Sequence, residues 1–308
     1  MNYPDIHRGA GDSPRPKRSI TLPSFGLLLV STLAGCGANA PDEILLKSGP
    51  EDDRSPATAR LAYEQVSFPT AGGKHLVGWF VPATSGRGRA TVLIHTGMQG
   101  NLCDYMPTIP GIVERDLDVF IYDWQGFGTS EGDRRFVNFE PDTYAAVDYL
   151  LSRPEPAAQT IIHLGVSLGS AAALGAAAYS PAKTIGVVVY GAFEPGELPM
   201  DFLVMLQSPF AAPVGAIADS LFAQWATPFL SPSTHLDGIK APVLAVIPQD
   251  DNIVPPASQL RLYDRYPDPK AIVYTFGGHV GAQDTDPDLT AKMVTWIDSL
   301  SSLPPATN

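Results

Sequence analysis

The chain has 308 residues, 44% of them hydrophobic, and carries 20 basic side chains against 32 acidic ones for a net charge of −12. That charge excludes nucleic-acid binding through counterion release and sets the surface against anionic lipid headgroups. The length beyond about residue 62 suits one α/β domain, and no internal repeat is present.

The first 20 residues carry Arg8, Arg15, Lys17 and Arg18, and Ile20 to Ala34 is apolar around Leu27-Leu28-Leu29-Val30. Leu33-Ala34-Gly35-Cys36 follows. A basic region, a short apolar region and small residues before a cleavage point predict an export signal over residues 1–35. The apolar run is short for a membrane span and contains Pro23 and Gly26. The tetrapeptide resembles the lipobox of bacterial lipoproteins, in which the cysteine becomes the lipid-modified first residue. The resemblance implies lipidation of Cys36 and an exported protein anchored at a bacterial membrane, on its periplasmic or cell-surface face. Gly37 in place of an aspartate resembles the pattern for outer-membrane sorting in Gram-negative cells. Loss of residues 1–35 removes four basic and two acidic side chains, so attachment would come from the lipid and not from a basic patch. With Cys36 acylated, Cys103 has no disulfide partner and is expected to be buried. Residues 36–62, broken by Pro41, Pro50 and Pro56 and carrying Glu51-Asp52-Asp53, are predicted to form a tether.

From Tyr63 the pattern becomes regular. Tyr63–Phe68 and Leu76–Val81 read as an antiparallel strand pair around Gly72-Gly73. Ala90–His95, Asp118–Tyr122, Thr160–Val166, Thr184–Tyr190, Val243–Ile247 and Ala271–Thr275 read as further strands, most of them continuous apolar runs. Helical patterns lie between them at about Asp104–Arg115, Asp142–Ser152, Leu168–Ala178, Ser258–Tyr266 and Asp288–Leu300. Apolar strands alternating with helices predict a mostly parallel sheet covered on both faces, with ligands beyond the carboxyl ends of the strands.

The chemistry-bearing motifs fall at those ends. Gly165-Val166-Ser167-Leu168-Gly169 fits G-x-S-x-G between a buried strand and an Ala-rich helix, a context that holds a serine hydroxyl at a strained bend. His95-Thr96-Gly97-Met98-Gln99-Gly100-Asn101 can turn a backbone N–H inward. Together with the N–H of Leu168 it could hold an oxyanion, each such donor being worth about 2.7–4 kcal/mol of barrier. Asp123 to Gly132 is glycine-rich and reads as a structural loop. Asp250 and Asp251, after the strand Val243–Ile247, are adjacent candidates for orienting a histidine. His279 follows Gly277-Gly278 and the last strand, where a neutral imidazole could serve as base for a serine hydroxyl. His75 and His163 read as structural, His95 is the rival base near the pocket, and His235 and Asp237 read as turn residues. No metal or cofactor is called for.

These motifs resemble the α/β-hydrolase superfamily from Tyr63 to about Leu303, and within it the serine-aminopeptidase-like group of esterases, thioesterases and monoacylglycerol lipases. The resemblance rests on Gly165 to Gly169, the loop Asp123 to Gly132, Asp251-Asn252-Ile253-Val254-Pro255 and Gly278-His279. It implies Ser167 as nucleophile, His279 as base and Asp251 rather than Asp250 as the orienting acid, because the family's acid stands before x-I/V-V-P. The family has His-Gly at the oxyanion loop where this chain has Thr96-Gly97 after His95. That implies Met98 as backbone donor, with Thr96 as the alternative.

An apolar insertion between Tyr190 and Ala241 includes Phe202, Leu203, Phe222 and Trp225 and is broken by prolines. It resembles the family's cap, here about residues 193–236, and is either an acyl-binding wall or simply packing. The expected activity is a serine hydrolase acting on a carboxylic ester or thioester of a small or acyl-type substrate. A peptidase or amidase with the same residues, and a non-catalytic surface lipoprotein using the fold as a binding scaffold, are the alternatives.

Overall fold

A computed structural model of the protein describes residues 46–49, 53–195, 228–279 and 286–300. Eight strands form one sheet: β1 (Glu64–Pro69), β2 (His75–Val81), β3 (Thr91–His95), β4 (Asp118–Tyr122), β5 (Ile161–Val166), β6 (Thr184–Tyr190), β7 (Val243–Pro248) and β8 (Lys270–Thr275). Their order is β1-β2-β4-β3-β5-β6-β7-β8. The pairs β1/β2 and β2/β4 are antiparallel, and every later pair is parallel. Among the described residues the α-helices are α1 (Ile109–Val113), α2 (Phe139–Ser152), α3 (Leu168–Tyr179), α4 (Pro256–Arg265) and α5 (Leu289–Asp298).

Side chains alternate across the sheet because the strand period is two. Leu93 of β3 and Phe120 of β4 pack with residues of α2 and α3. Their neighbours Val92, Ile94, Val119 and Ile121 face the other way and pack with α1 and α5. Strands β3, β4, β5 and β7 are buried along their whole length, as coverage on both faces requires. The expected mostly parallel, doubly covered sheet is the fold that the chain adopts.

Two expectations are corrected. The helix expected over Asp104–Arg115 is instead a single 3₁₀ turn at Leu102–Tyr105 followed by the short α1. Pro107 and Pro110 lack the N–H groups that would bond the carbonyls of Cys103 and Met106 in a continuous helix. The stretch expected as a tether is docked on the domain at Leu46–Gly49. Leu46 is fully buried among Val66, Phe68 and Leu76. Lys47 forms a parallel bridge with Gln99, its N–H reaching the Met98 carbonyl at 3.4 Å and its own carbonyl accepting the Gly100 N–H at 2.9 Å. The apolar side chain of Leu46 explains the docking: polar composition around it does not prevent one leucine from filling a core position. Cys103 is buried. Cys36, the signal over residues 1–35 and most of the expected cap lie outside the described residues.

Candidate active site

Strand β5 ends at Val166 and α3 begins at Leu168, leaving Ser167 alone at the bend with φ 55° and ψ −121°. A positive φ at a residue with a side chain is uncommon and persists only where the surroundings hold it. Here the Ser167 N–H donates to the Tyr190 carbonyl on β6 at 2.8 Å. The flanking glycines have a steric reason. A Cβ on Gly165 would land on the backbone of Gly169 and Ser170, and one on Gly169 would land on the carbonyls of His95 and Thr96. Ala172, Ala173 and Ala176, all fully buried, bring α3 close to the sheet.

His279 and Asp251 meet Ser167 at this bend. The His279 Nε2 lies 2.7 Å from Ser167 Oγ, and its Nδ1 lies 2.8 Å from Asp251 Oδ2. An ionised carboxylate can only accept, so Nδ1 carries the proton and Nε2 accepts from the serine hydroxyl. All three residues are buried. Asp251 is fixed in turn: Oδ1 accepts the N–H groups of Ile253 and Val254, each at 2.9 Å, and Oδ2 accepts Gln259 Nε2 at 3.0 Å. The Tyr190 hydroxyl donates to the Gly278 carbonyl at 2.8 Å, and Asp250 accepts the N–H groups of Gly277 and Gly278. Those backbone bonds, that from Gly278 first, hold the Asp250 carboxyl below its usual range. Gly191 leaves room for the imidazole, since a Cβ there would stand 3.0 Å from His279 Cε1.

The loop after β3 passes beside the serine. A Cβ on Gly97 would stand 3.7 Å from Ser167 Cβ. The Thr96 carbonyl accepts Trp124 Nε1 at 3.2 Å, and the Gly97 N–H donates to the Tyr105 hydroxyl at 2.9 Å. Among the described residues, the N–H groups of Met98 and Leu168 have no acceptor. Leu168 opens α3, where the first-turn amides have no partner within the helix and the dipole favours negative charge.

The rival histidines lie elsewhere. His95 and His163 bond to each other at 3.1 Å in the core, and their remaining nitrogens reach the Tyr122 hydroxyl and Thr184 Oγ1, also at 3.1 Å. Burial pushes His163 down to about 3. Burial, and then the neighbouring His163, holds His95 well below the usual imidazole range. His75 is exposed at the start of β2. His235 Nε2 bonds the Phe229 carbonyl at 2.6 Å, and Asp237 sits in the 3₁₀ turn Leu236–Gly238. The loop Asp123 to Gly132 is braced by Ser130 Oγ on the Asp123 carbonyl and by Asp142, which accepts both the N–H and the Nε2 of Gln125. Burial raises Asp142 to about 6, against the pull of Gln125.

Reasoning from the sequence missed Gly191, Gln259, Tyr105 and the role of Asp250. Gly191 directly follows a strand, which is a usable signal; Tyr105 and Gln259 carry none. Among the described residues no group of three His, Cys, Asp or Glu side chains gathers as a metal site.

Residues 86–229 match the family model for serine aminopeptidase, S33. The esterase Pf2001 of Pyrococcus furiosus superposes with a TM-score of 0.66 at 17% identity, over 83% of this chain and 97% of that one. The α/β-hydrolase domain-containing protein WAV2 of Arabidopsis thaliana is 24% identical over 213 residues, 68% of this chain and 68% of that protein. YfhR of Salmonella typhimurium is 36% identical over 109 residues, 34% of this chain, and the chain spans 37% of the length of that protein. With the sheet order and the strand–serine–helix bend, these matches define the class of fold: the chain adopts the α/β-hydrolase fold. Over residues 86–229 it is similar to the serine-aminopeptidase group of that fold.

Proposed function

We propose that the protein is a serine hydrolase that cleaves a carboxylic ester or thioester of a small or acyl-type substrate through an acyl-enzyme. The observation that carries this reading is the 2.7 Å contact between His279 Nε2 and Ser167 Oγ, with the other ring nitrogen on Asp251. Ser167 attacks the carbonyl carbon while His279 takes its proton. Asp251 keeps the ring in the tautomer that can accept and stabilises the imidazolium that forms. The N–H groups of Met98 and Leu168 receive the oxyanion. His279 then passes the proton to the leaving group, and water attacks the acyl-enzyme with His279 again as base. No step calls for a metal or cofactor.

The test is a serine-directed fluorophosphonate probe on the pure protein. Labelling that is abolished by Ser167→Ala supports the reading; no labelling, or labelling that survives the substitution, contradicts it and favours a non-catalytic binding scaffold. A second reading, a peptidase or amidase using the same residues, is favoured by the family match to serine aminopeptidases. Comparing p-nitrophenyl esters of several chain lengths with aminoacyl p-nitroanilides separates the two.

The reading extends to location. Cys36 carries a lipid, and the enzyme works on a small-molecule ester or acyl substrate while anchored to a bacterial membrane after export. The support is the segment Leu33-Ala34-Gly35-Cys36 behind a basic and an apolar stretch. Labelled palmitate is incorporated in cells and lost in Cys36→Ala; incorporation unchanged by that substitution contradicts the assignment.

A further inference from the structure

We propose that Tyr105 is a positioning residue of the Ser167 site, setting the oxyanion loop through its hydroxyl. The proposal rests on the reading of Ser167 as nucleophile. Three polar groups of the loop are tied off in succession: the Thr96 carbonyl by Trp124 Nε1, the Gly97 N–H by the Tyr105 hydroxyl, and the Met98 carbonyl by the Lys47 N–H. The amide between the last two, that of Met98, has no acceptor among the described residues. Of the three ties, only that of Tyr105 holds an N–H of the loop itself. It orients the Thr96–Gly97 peptide and removes the amide that would otherwise compete with Met98 for the substrate oxygen.

The hydroxyl is well placed for this. A Cβ on Gly97 would stand 3.9 Å from the Tyr105 oxygen and 3.7 Å from Ser167 Cβ, so phenol and nucleophile flank the same residue. Tyr105 is itself anchored. It closes the 3₁₀ turn Leu102–Tyr105, where Asn101 accepts the Cys103 N–H at 2.9 Å and Asp123 accepts the Leu102 N–H at 2.8 Å. Its ring is buried with Ile94, Ile109 and Val166. The phenol oxygen acts as the acceptor; without it, Gly97 keeps a buried donor with no partner, and the peptide is free to turn.

The test compares Tyr105→Phe with the unaltered full chain, measuring ester hydrolysis, amide hydrogen exchange at Gly97 and the thermal midpoint. The phenylalanine ring fills the same space, so folding is retained. The expected result is a fall in kcat of about tenfold with KM within twofold, and faster exchange at Gly97. Unchanged kcat, or a lowered thermal midpoint with unchanged kcat and KM, overturns the proposal. If the unaltered chain hydrolyses no ester, the serine-hydrolase reading is what fails. Exchange at Gly97 then decides the tie: faster exchange in Tyr105→Phe upholds it, and an unchanged rate overturns it.

Discussion

Asp250 and Asp251 are neighbours in the chain and hold the histidine loop by different means: Asp251 binds the imidazole of His279, whereas Asp250 binds the backbone of Gly277 and Gly278 just before it. The two carboxylates therefore fail differently when altered. Asp251→Asn replaces an obligate acceptor with an amide that can turn its NH₂ toward Nδ1. That favours the tautomer in which Nε2 cannot accept from Ser167, and kcat for ester hydrolysis falls on the order of 10³–10⁴-fold. Asp250→Ala leaves the ring bond intact and loosens the loop, so kcat falls by about tenfold. Equal losses from the two substitutions contradict this division of roles.

Gly191 faces the imidazole, and its φ is +60°. A methyl group there stands 3.0 Å from His279 Cε1 and 3.2 Å from Nδ1, and the backbone conformation is strained for any side chain. Gly191→Ala is expected to lower the thermal midpoint and to slow fluorophosphonate labelling of Ser167 by at least tenfold. A variant that labels at the original rate shows that the ring is not confined from this side.

The buried pair His95–His163 gives the fold an acid sensitivity of predictable sign. The unfolded chain protonates each ring near pH 6.5, while the folded chain keeps both neutral well below that, His163 down to about 3. Their contribution to stability is complete above the unfolded value and is lost as the pH falls through it. Asp142 works the other way. Its carboxyl is raised to about 6, so its contribution is largest below the unfolded carboxylate value and shrinks as the pH rises toward 6. Two histidines outweigh one aspartate, so the thermal midpoint falls by several degrees between pH 7 and pH 5. The fall is smaller in His163→Gln, which removes one of the two titrating rings; an equal fall in that variant contradicts the assignment.

The docked segment Leu46–Gly49 meets the loop after β3 through the bonds of Lys47 to Met98 and Gly100. Leu46→Asp puts a charge where the side chain is fully buried. Release of the segment is then expected to appear as faster amide exchange at Gly100, whose N–H bonds Lys47, together with reduced kcat. Unchanged exchange at Gly100 argues that the segment does not brace the loop.

What could be read from the chain beforehand follows from how local each feature is. The central strands are continuous apolar runs because both faces of the sheet are covered, and such runs stand out without a partner in view. The glycines at 165 and 169 were legible because strand and helix are consecutive at the bend. The meeting of Asp251 and His279 with Ser167 followed from their positions after successive strands and from family resemblance. Tyr105 and Lys47 act through segments distant in sequence, and nothing in their local pattern marks them, whereas Gly191 is marked only by its place directly after a strand. Pro107 and Pro110 did mark the broken helix, but the apolar spacing around them concealed it.

The central claim is that Ser167 becomes acylated, and intact-mass analysis of the protein quenched within milliseconds of mixing with a p-nitrophenyl ester tests it most directly. The account predicts a transient mass increase equal to the acyl group, mapped by peptide analysis to Ser167 and absent in Ser167→Ala. Hydrolysis of the ester that proceeds with no acyl group on Ser167, or at the same rate in Ser167→Ala, would contradict it.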